Sequence, residues 1–156
     1  MLFRSLFIQK IGNQEPITVY GETKTLDFTY VDDCVDGIFR GMTRLVSGEV
    51  VNQTINLAFG QGNTLVKMAE YIGDSLGLKP DMHIEPARVG EVTRYIANIG
   101  KASAILGYNP TTTLQQGITK AVEWGKQWQA KVPATDRKST RLNSSHPRLS
   151  RMPSSA

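Results

Sequence analysis

The feature that most constrains the fold of this chain is the alternation of short β-branched segments with longer segments of helical period. The short segments are rich in valine, isoleucine, threonine and tyrosine and end near glycine or proline, which indicates strands. The longer ones repeat their apolar residues with a period of about 3.6, which indicates helices with one buried face. Candidate strands cover residues 17–20, 26–31, 53–58 and 82–85, and candidate helices cover 6–11, 34–46, 65–76, 100–106 and 112–130.

This alternation predicts an α/β fold. Four or five strands are few for a complete doubly wound sheet, so we expect one lobe of a larger enzyme. Asp32 and Asp33 are expected to cap the helix 34–46, and Asn63 or Thr64 the helix 65–76. The last helix would bury Leu114, Ile118 and Val122, together with Trp124 or Trp128.

The two ends of the chain differ from the rest. Residues 136–156 are polar and basic with few apolar residues. They can be back-translated into the adapter DNA that is ligated to fragments in high-throughput sequencing. Residues 1–5 fit the same adapter read on the opposite strand. We therefore interpret 6–135 as natural protein, and 1–5 and 136–156 as translated adapter, the latter disordered.

This interpretation changes what the charge implies. The chain has 18 basic and 14 acidic residues, but six of the basic and one of the acidic residues lie in the two ends. The remaining 12 basic and 13 acidic residues nearly cancel, so no nucleic-acid partner is predicted. One cysteine, Cys34, excludes a disulfide framework. The absence of a signal peptide or membrane-spanning apolar run leads us to expect a cytoplasmic protein without a membrane partner.

Two motifs suggest cofactor chemistry but fail on their context. Gly60-Gln61-Gly62 resembles the start of a dinucleotide fingerprint, yet Leu65 stands where the third glycine should be. Tyr20 and Lys24 have the Tyr-x-x-x-Lys spacing of a catalytic pair, but that pair requires a helix, and Gly21 indicates a turn here. His83 has no partner at metal-ligand spacing, so no metal site is predicted.

Longer motifs follow one another in a fixed order. They are Pro16-Ile17-Thr18-Val19-Tyr20-Gly21, Thr25-Leu26-Asp27-Phe28-Thr29-Tyr30-Val31-Asp32-Asp33, Asn56-Leu57-Ala58-Phe59-Gly60, Arg88-Val89-Gly90-Glu91, and Ala97-Asn98-Ile99-Gly100-Lys101-Ala102 with Leu106-Gly107-Tyr108-Asn109-Pro110. Together they resemble the carboxy-terminal part of the extended short-chain dehydrogenase/reductase family, the NAD-dependent epimerases and dehydratases, in particular the UDP-glucose 4-epimerases.

The resemblance implies a nucleotide-sugar-binding lobe over 6–135. Thr18 and Tyr20 would present main-chain groups to the nucleobase, Arg88 would bind the diphosphate, and Glu91 would lie near the ribose hydroxyls. Glu91 replaces the commoner aspartate, which lengthens the side chain by one methylene. Leu26 replaces an arginine that binds phosphate in many members, and Arg94 is a candidate substitute.

The resemblance also implies what is missing. The catalytic tyrosine and lysine and the NAD-binding residues would precede Leu6, so no catalytic or cofactor-binding residues are expected here, and the chain alone should be inactive. The parent would be an epimerase of a UDP-sugar and a homodimer through its absent half. Alternatives are a 4,6-dehydratase, a UDP-glucuronate decarboxylase, a non-catalytic nucleotide-binding module, or a structural α/β domain with fortuitous motifs.

Overall fold

The computed structural model describes residues 3–49 and 52–131, and from Gly125 onward only the end of the last helix is described. The predicted adapter segment 136–156 and residues 1 and 2 therefore lie outside the described residues. The elements, in chain order, are α1 (Phe3–Gly12), β1 (Ile17–Tyr20), β2 (Thr25–Asp27), α2 (Val31–Val46), β3 (Gly62–Thr64), α3 (Leu65–Leu76), β4 (Met82–Glu85), β5 (Arg94–Tyr95), α4 (Gly100–Leu106) and α5 (Leu114–Lys131). The predicted mixture of strands and helices is confirmed.

The strands form two small sheets. In one sheet, β1 pairs in parallel with β4, so that Thr18 lies opposite His83. In the other, β2 lies between β3, to which it is antiparallel, and β5, to which it is parallel. Because parallel partners require long connections, residues distant in sequence meet along both sheets.

Two clusters of apolar side chains hold these elements together. The larger joins α1, β1, α3 and α5, with Val19, Met68, Ile72 and Ile118 buried at its centre. The smaller surrounds Tyr108 and includes Ala102 and Leu106 of α4. The first cluster fixes one face of β1, so the opposite face of that strand is left to solvent.

Helix α3 forms as its sequence predicts. The Thr64 hydroxyl accepts a hydrogen bond from the Lys67 N–H at 3.1 Å, which caps the helix. Gly77 ends it in the left-handed conformation with φ of 69°, which glycine adopts without steric cost. The apolar residues of its predicted buried face lie in the larger cluster.

Helix α2 departs from prediction at its start. It begins at Val31 with Tyr30 at the N-cap position, so Asp32 and Asp33 lie in its first turn and are not caps. The carboxylate of Asp33 instead accepts hydrogen bonds from the N–H groups of Thr111 and Thr112, at 3.2 and 3.0 Å. The predicted strand 26–31 is therefore cut short at Asp27.

The predicted strand 53–58 is wrong, since no strand forms there. Ile55 and Leu57 alternate as in a strand, but they pack against the Tyr108 cluster. The Thr54 carbonyl accepts a hydrogen bond from Lys101 Nζ at 2.9 Å, and Phe59 N–H donates to Asp27 and Thr29 side chains. Hydrogen bonds to side chains of other elements hold this segment, whereas a strand would be held by main-chain hydrogen bonds to a neighbouring strand.

The apolar side of α2 is exposed. Val31, Val35, Ile38, Phe39, Met42, Leu45 and Val46 all lie at the surface. In helix α5, Leu114, Ile118 and Val122 are buried as expected, whereas Trp124, one of the two tryptophans considered, is 63% exposed. Trp128 is outside the residues whose side chains are described. Helical period alone does not determine which partner covers a face, or whether one does.

Candidate nucleotide-binding site

Strand β1 has one edge with no strand partner among the described residues. On its other edge, Ile17 N–H donates to Asp81 O at 2.9 Å and Gly21 N–H donates to Glu85 O at 2.8 Å. Main-chain groups of successive strand residues point alternately to the two edges. The main-chain groups of Thr18 and Tyr20 therefore face the unpaired edge, where they can pair with a ligand.

The side chains of Tyr20 and Arg88 are in contact at the end of this strand. Arg88 Cζ lies 4.2 Å from the centroid of the Tyr20 ring, which is the geometry of a cation–π interaction. Both side chains are exposed on the surface. The ring supports one face of the guanidinium, and the planar group can still offer N–H donors to phosphate oxygens.

Glu91 belongs to the same turn as Arg88. Its N–H donates to Arg88 O at 3.1 Å, and its carboxylate accepts a hydrogen bond from Lys24 Nζ at 3.0 Å. Lys24 follows Tyr20 through a turn in which Lys24 N–H donates to Gly21 O. The structure thus brings Tyr20, Arg88 and Glu91 into two adjacent turns, 20–24 and 88–91.

Gly21 permits the close approach of these turns. It has φ of 78°, and a Cβ at this position would lie 3.1 Å from Ala87 Cβ. A larger residue would therefore be both strained and crowded. Tyr20 and Lys24 flank a turn, as Gly21 predicts, and do not form a helical Tyr-x-x-x-Lys pair. Lys24 nevertheless forms an ion pair with Glu91, which is a predicted site residue.

Leu26 and Arg94 lie on different parts of the second sheet. Leu26 lines a cavity of about 190 Å³ together with Phe28, Met68 and Leu114. Arg94 is exposed on β5 in register with Thr25. Paired residues share a face of a sheet and neighbouring residues alternate, so Arg94 lies on the face opposite to Leu26. The apolar surroundings explain why leucine is stable at position 26.

The structural role of Asp27 was not predicted from the sequence. Its carboxylate accepts hydrogen bonds from the N–H groups of Phe59, Gly60 and Ala97, at 3.1, 3.0 and 3.2 Å. It therefore connects two loops to β2. Asp27 lies at the end of a predicted β-branched segment, directly before Phe28, and the Asn-x-x-x-Gly motif comes later in the chain. These positions are the available signal. The sequence does not show which N–H groups the Asp27 carboxylate contacts in the fold.

The two glycines of the Gly60-Gln61-Gly62 motif are engaged in contacts within the fold. At the Gly60-Gln61-Gly62 motif, the N–H of Gly60 already donates to Asp27. A Cβ on Gly62 would lie 2.2 Å from Thr25 Cγ2, so this glycine serves the packing of β3 on β2. Gly60 and Gln61 form a loop that leads into β3, of which Gly62 is the first residue.

Within residues 3–49 and 52–131, no cluster of three histidine, cysteine or acidic side chains is arranged to hold a metal. Over the same part of the chain, no helix combines the length and apolar character needed to cross a membrane. His83 is exposed on β4.

Known proteins resemble this chain in both sequence and structure. A Bacillus subtilis protein named as the uncharacterized UDP-glucose epimerase YtcB is 31% identical over 125 residues, which are 80% of this chain and 38% of that protein. UDP-glucuronic acid decarboxylase 2 of Arabidopsis thaliana is 29% identical over 76% of this chain and 26% of its own length. No protein-family model matches.

A crystal structure of UDP-glucuronic acid 4-epimerase from Bacillus cereus in complex with NAD superposes on this fold. The TM-score is 0.71 at 26% identity, and the match covers 86% of this chain and 40% of that one. The chain thus spans well under half the length of the relatives it matches. In sequence and in fold it corresponds to the carboxy-terminal part of an extended short-chain dehydrogenase/reductase of the epimerase/dehydratase family.

Proposed function

We propose that this chain is the part of an NAD-dependent nucleotide-sugar epimerase that binds the nucleoside diphosphate of a UDP-sugar. The observation that carries the proposal is the contact between Arg88 and the Tyr20 ring at 4.2 Å. Residues that are 68 positions apart in the sequence meet beside an edge of β1 that has no strand partner among the described residues. A diphosphate and a base attached to it could reach both.

Each predicted site residue has a chemical task in this proposal. The main-chain groups of Thr18 and Tyr20 pair with the edge of the base, which is planar and carries both donors and acceptors. Arg88 offers a fork of N–H donors to the diphosphate. Glu91, on the same turn, accepts hydrogen bonds from the ribose hydroxyls. Thr18 and Tyr20 lie on β1, Arg88 and Glu91 lie on the turn 88–91, and the contact between Arg88 and Tyr20 joins the two segments.

The binding proposal can be tested by titrating the purified chain with UDP in a calorimeter. Replacing Arg88 with methionine keeps the stem over Tyr20 and removes the charged donors. Because a hydrogen bond to a charged group contributes about 1.5–3 kcal/mol, R88M should weaken UDP binding roughly 10- to 100-fold. The matched control is R44M on helix α2, which should bind UDP as the unaltered chain does. Equal binding by R88M and the unaltered chain would contradict the proposal.

We place NAD in the part of the parent protein that this chain lacks. Bound there, NAD would accept a hydride from the sugar and return it. The chain's own residues would hold the diphosphate so that the sugar extends away from β1 toward that part. On this view the chain alone should not epimerise a UDP-sugar, even with added NAD.

The exposed apolar side of α2 supports the proposal that NAD binds to another part of the parent protein. Large apolar faces of this kind mark surfaces that another protein segment covers, and Ile38, Phe39 and Met42 lie at its middle with half or more of each side chain exposed. We propose that the cofactor-binding part of the parent covers this face. The parent's homodimer contact would lie in that same part, and its location would be cytoplasmic.

A decarboxylase or dehydratase of UDP-sugars is the second candidate. It is favoured by the similarity to UDP-glucuronic acid decarboxylase 2. Each of these enzymes acts on a UDP-sugar and must therefore bind its diphosphate. The proposed site residues of this chain do not distinguish among them. The residues that direct the oxidised sugar to one product or another would lie in the cofactor-binding part, and the sequence encoded upstream of Leu6 would separate the candidates.

A further inference from the structure

The ion pair between Lys24 and Glu91 differs from the other ion pairs in the described part of the chain. Its partners are 67 positions apart, and their side chains are 16% and 33% exposed. The other pairs join residues three to five positions apart and are 43–51% exposed. Exposed local pairs contribute little, whereas this one connects two turns of the candidate site and is partly shielded from water.

Lys24 can offset an electrostatic repulsion between the Glu91 carboxylate and a bound diphosphate. Glu91 and Arg88 share one turn, since Glu91 N–H donates to Arg88 O. A diphosphate held by Arg88 would therefore lie near the Glu91 carboxylate. Like charges at such range repel each other strongly where water is partly excluded. With Lys24 Nζ at 3.0 Å, the carboxylate is neutralised on the side of the protein.

Among the described residues, Lys24 is the cation paired with Glu91, and neither Leu26 nor Arg94 of the second sheet takes that position. Leu26, which stands where many relatives carry an arginine, faces an apolar cavity. Arg94 extends from the opposite face of that sheet and is aligned with Thr25. Lys24 is already fixed between the two turns that carry Tyr20 and Arg88.

We infer that Lys24 is a positioning residue for nucleoside diphosphates, acting through Glu91. Its ammonium cancels the repulsion between the Glu91 carboxylate and the diphosphate. It thereby restores the positive balance that an arginine at position 26 would supply. This inference rests on the proposed function and names a residue that the family resemblance does not.

The effect of replacing Lys24 on nucleotide affinity should depend on the charge of the ligand and on the presence of Glu91. Titrations would compare UDP with uridine, which has the same base and ribose but no phosphate. K24M should weaken UDP binding about tenfold and uridine binding less than about twofold, since only the diphosphate is repelled by an unpaired carboxylate. In a chain that already carries E91Q, adding K24M should change UDP binding less than about twofold. K24R should bind UDP like the unaltered chain.

Four results would overturn this inference. Equal UDP binding by K24M and the unaltered chain would remove any role for the ammonium. Equal losses for UDP and uridine in K24M, with a lowered unfolding temperature, would indicate a structural pair only. An undiminished effect of K24M beside E91Q would mean that Lys24 contacts phosphate directly. Failure of the unaltered chain to bind UDP would overturn the proposed function as well, which separates the two claims.

Discussion

Tyr108 carries a hydroxyl group that finds no hydrogen-bond partner among the described residues. Its side chain is fully buried in the smaller cluster. Burial, with a further effect from the Asp33 carboxylate, raises the pKa of Tyr108 to about 12, from an ordinary value of 10. The folded chain therefore holds this proton more tightly than the unfolded chain does. The corresponding stability is fully present below about pH 10 and is lost as the pH rises toward 12.

Replacing Tyr108 with phenylalanine tests this description. Because a buried hydroxyl without a partner costs about 1–3 kcal/mol, Y108F should leave the free energy of unfolding at pH 7 unchanged or raise it by about 1–2 kcal/mol. The variant should also lose less stability than the unaltered chain between pH 10 and 12. Urea unfolding across that pH range measures both effects. Y95F, at an exposed tyrosine, is the control, and identical pH profiles for all three proteins would contradict the account.

Individual residues also mark how far sequence reasoning reached. The proposed nucleotide-site residues Thr18, Tyr20, Arg88 and Glu91 follow from the family resemblance alone, because nothing in their spacing requires them to meet. The contacts of Asp27 and Lys24 are not predicted by the sequence. A hydrogen bond or ion pair between residues 67 to 70 positions apart depends on the folded path of the chain, which local patterns do not contain.

At the scale of the element, helix α2 contains two glycines with opposite surroundings. Gly37 is buried, and a Cβ there would lie 2.6 Å from Leu57 Cδ2 and 3.0 Å from Tyr108 Cε2. At Gly41 the nearest atom to a Cβ would be Leu106 Cδ1 at 3.9 Å, an ordinary contact. The first glycine is thus required by packing and the second is not.

Alanine at these two positions should therefore act in opposite directions. G37A should lower the free energy of unfolding by about 1–3 kcal/mol, because the methyl group forces Leu57 or Tyr108 to move. G41A should raise it by about 0.5–1 kcal/mol, because glycine in a helix costs about that much relative to alanine. Urea denaturation of both variants provides the measurement. A stabilising G37A would contradict the packing of α2 on the Tyr108 cluster.

The elements that sequence predicts best are those with local signals at both ends. Helix α3 has a threonine cap, a regular apolar face and a terminal glycine, and it forms over the predicted residues. The segment 53–58 has the alternation of a strand, but a strand also needs a neighbour, and side chains of other elements hold it instead. The N-cap of α2 fell at Tyr30 because Asp33 is engaged by Thr111 and Thr112.

At the scale of the whole molecule, burial on one side of β1 and exposure on the other explain the candidate site. The larger cluster covers Ile17 and Val19, which fixes the strand and turns Thr18 and Tyr20 outward. The α/β class followed from periodicity, but two separate small sheets and the bare face of α2 did not. Both depend on contacts across the molecule and on what a longer parent protein would contribute.

We propose that Arg88 and the open edge of β1 bind one nucleotide between them. Amide chemical shifts of the isotopically labelled chain, recorded by NMR during a titration with UDP, test this most directly. The account predicts saturable shift changes at Thr18, Tyr20, Arg88 and Glu91, with helix α2 unchanged. Changes confined to other elements, or at one of the two turns without the other, would contradict it.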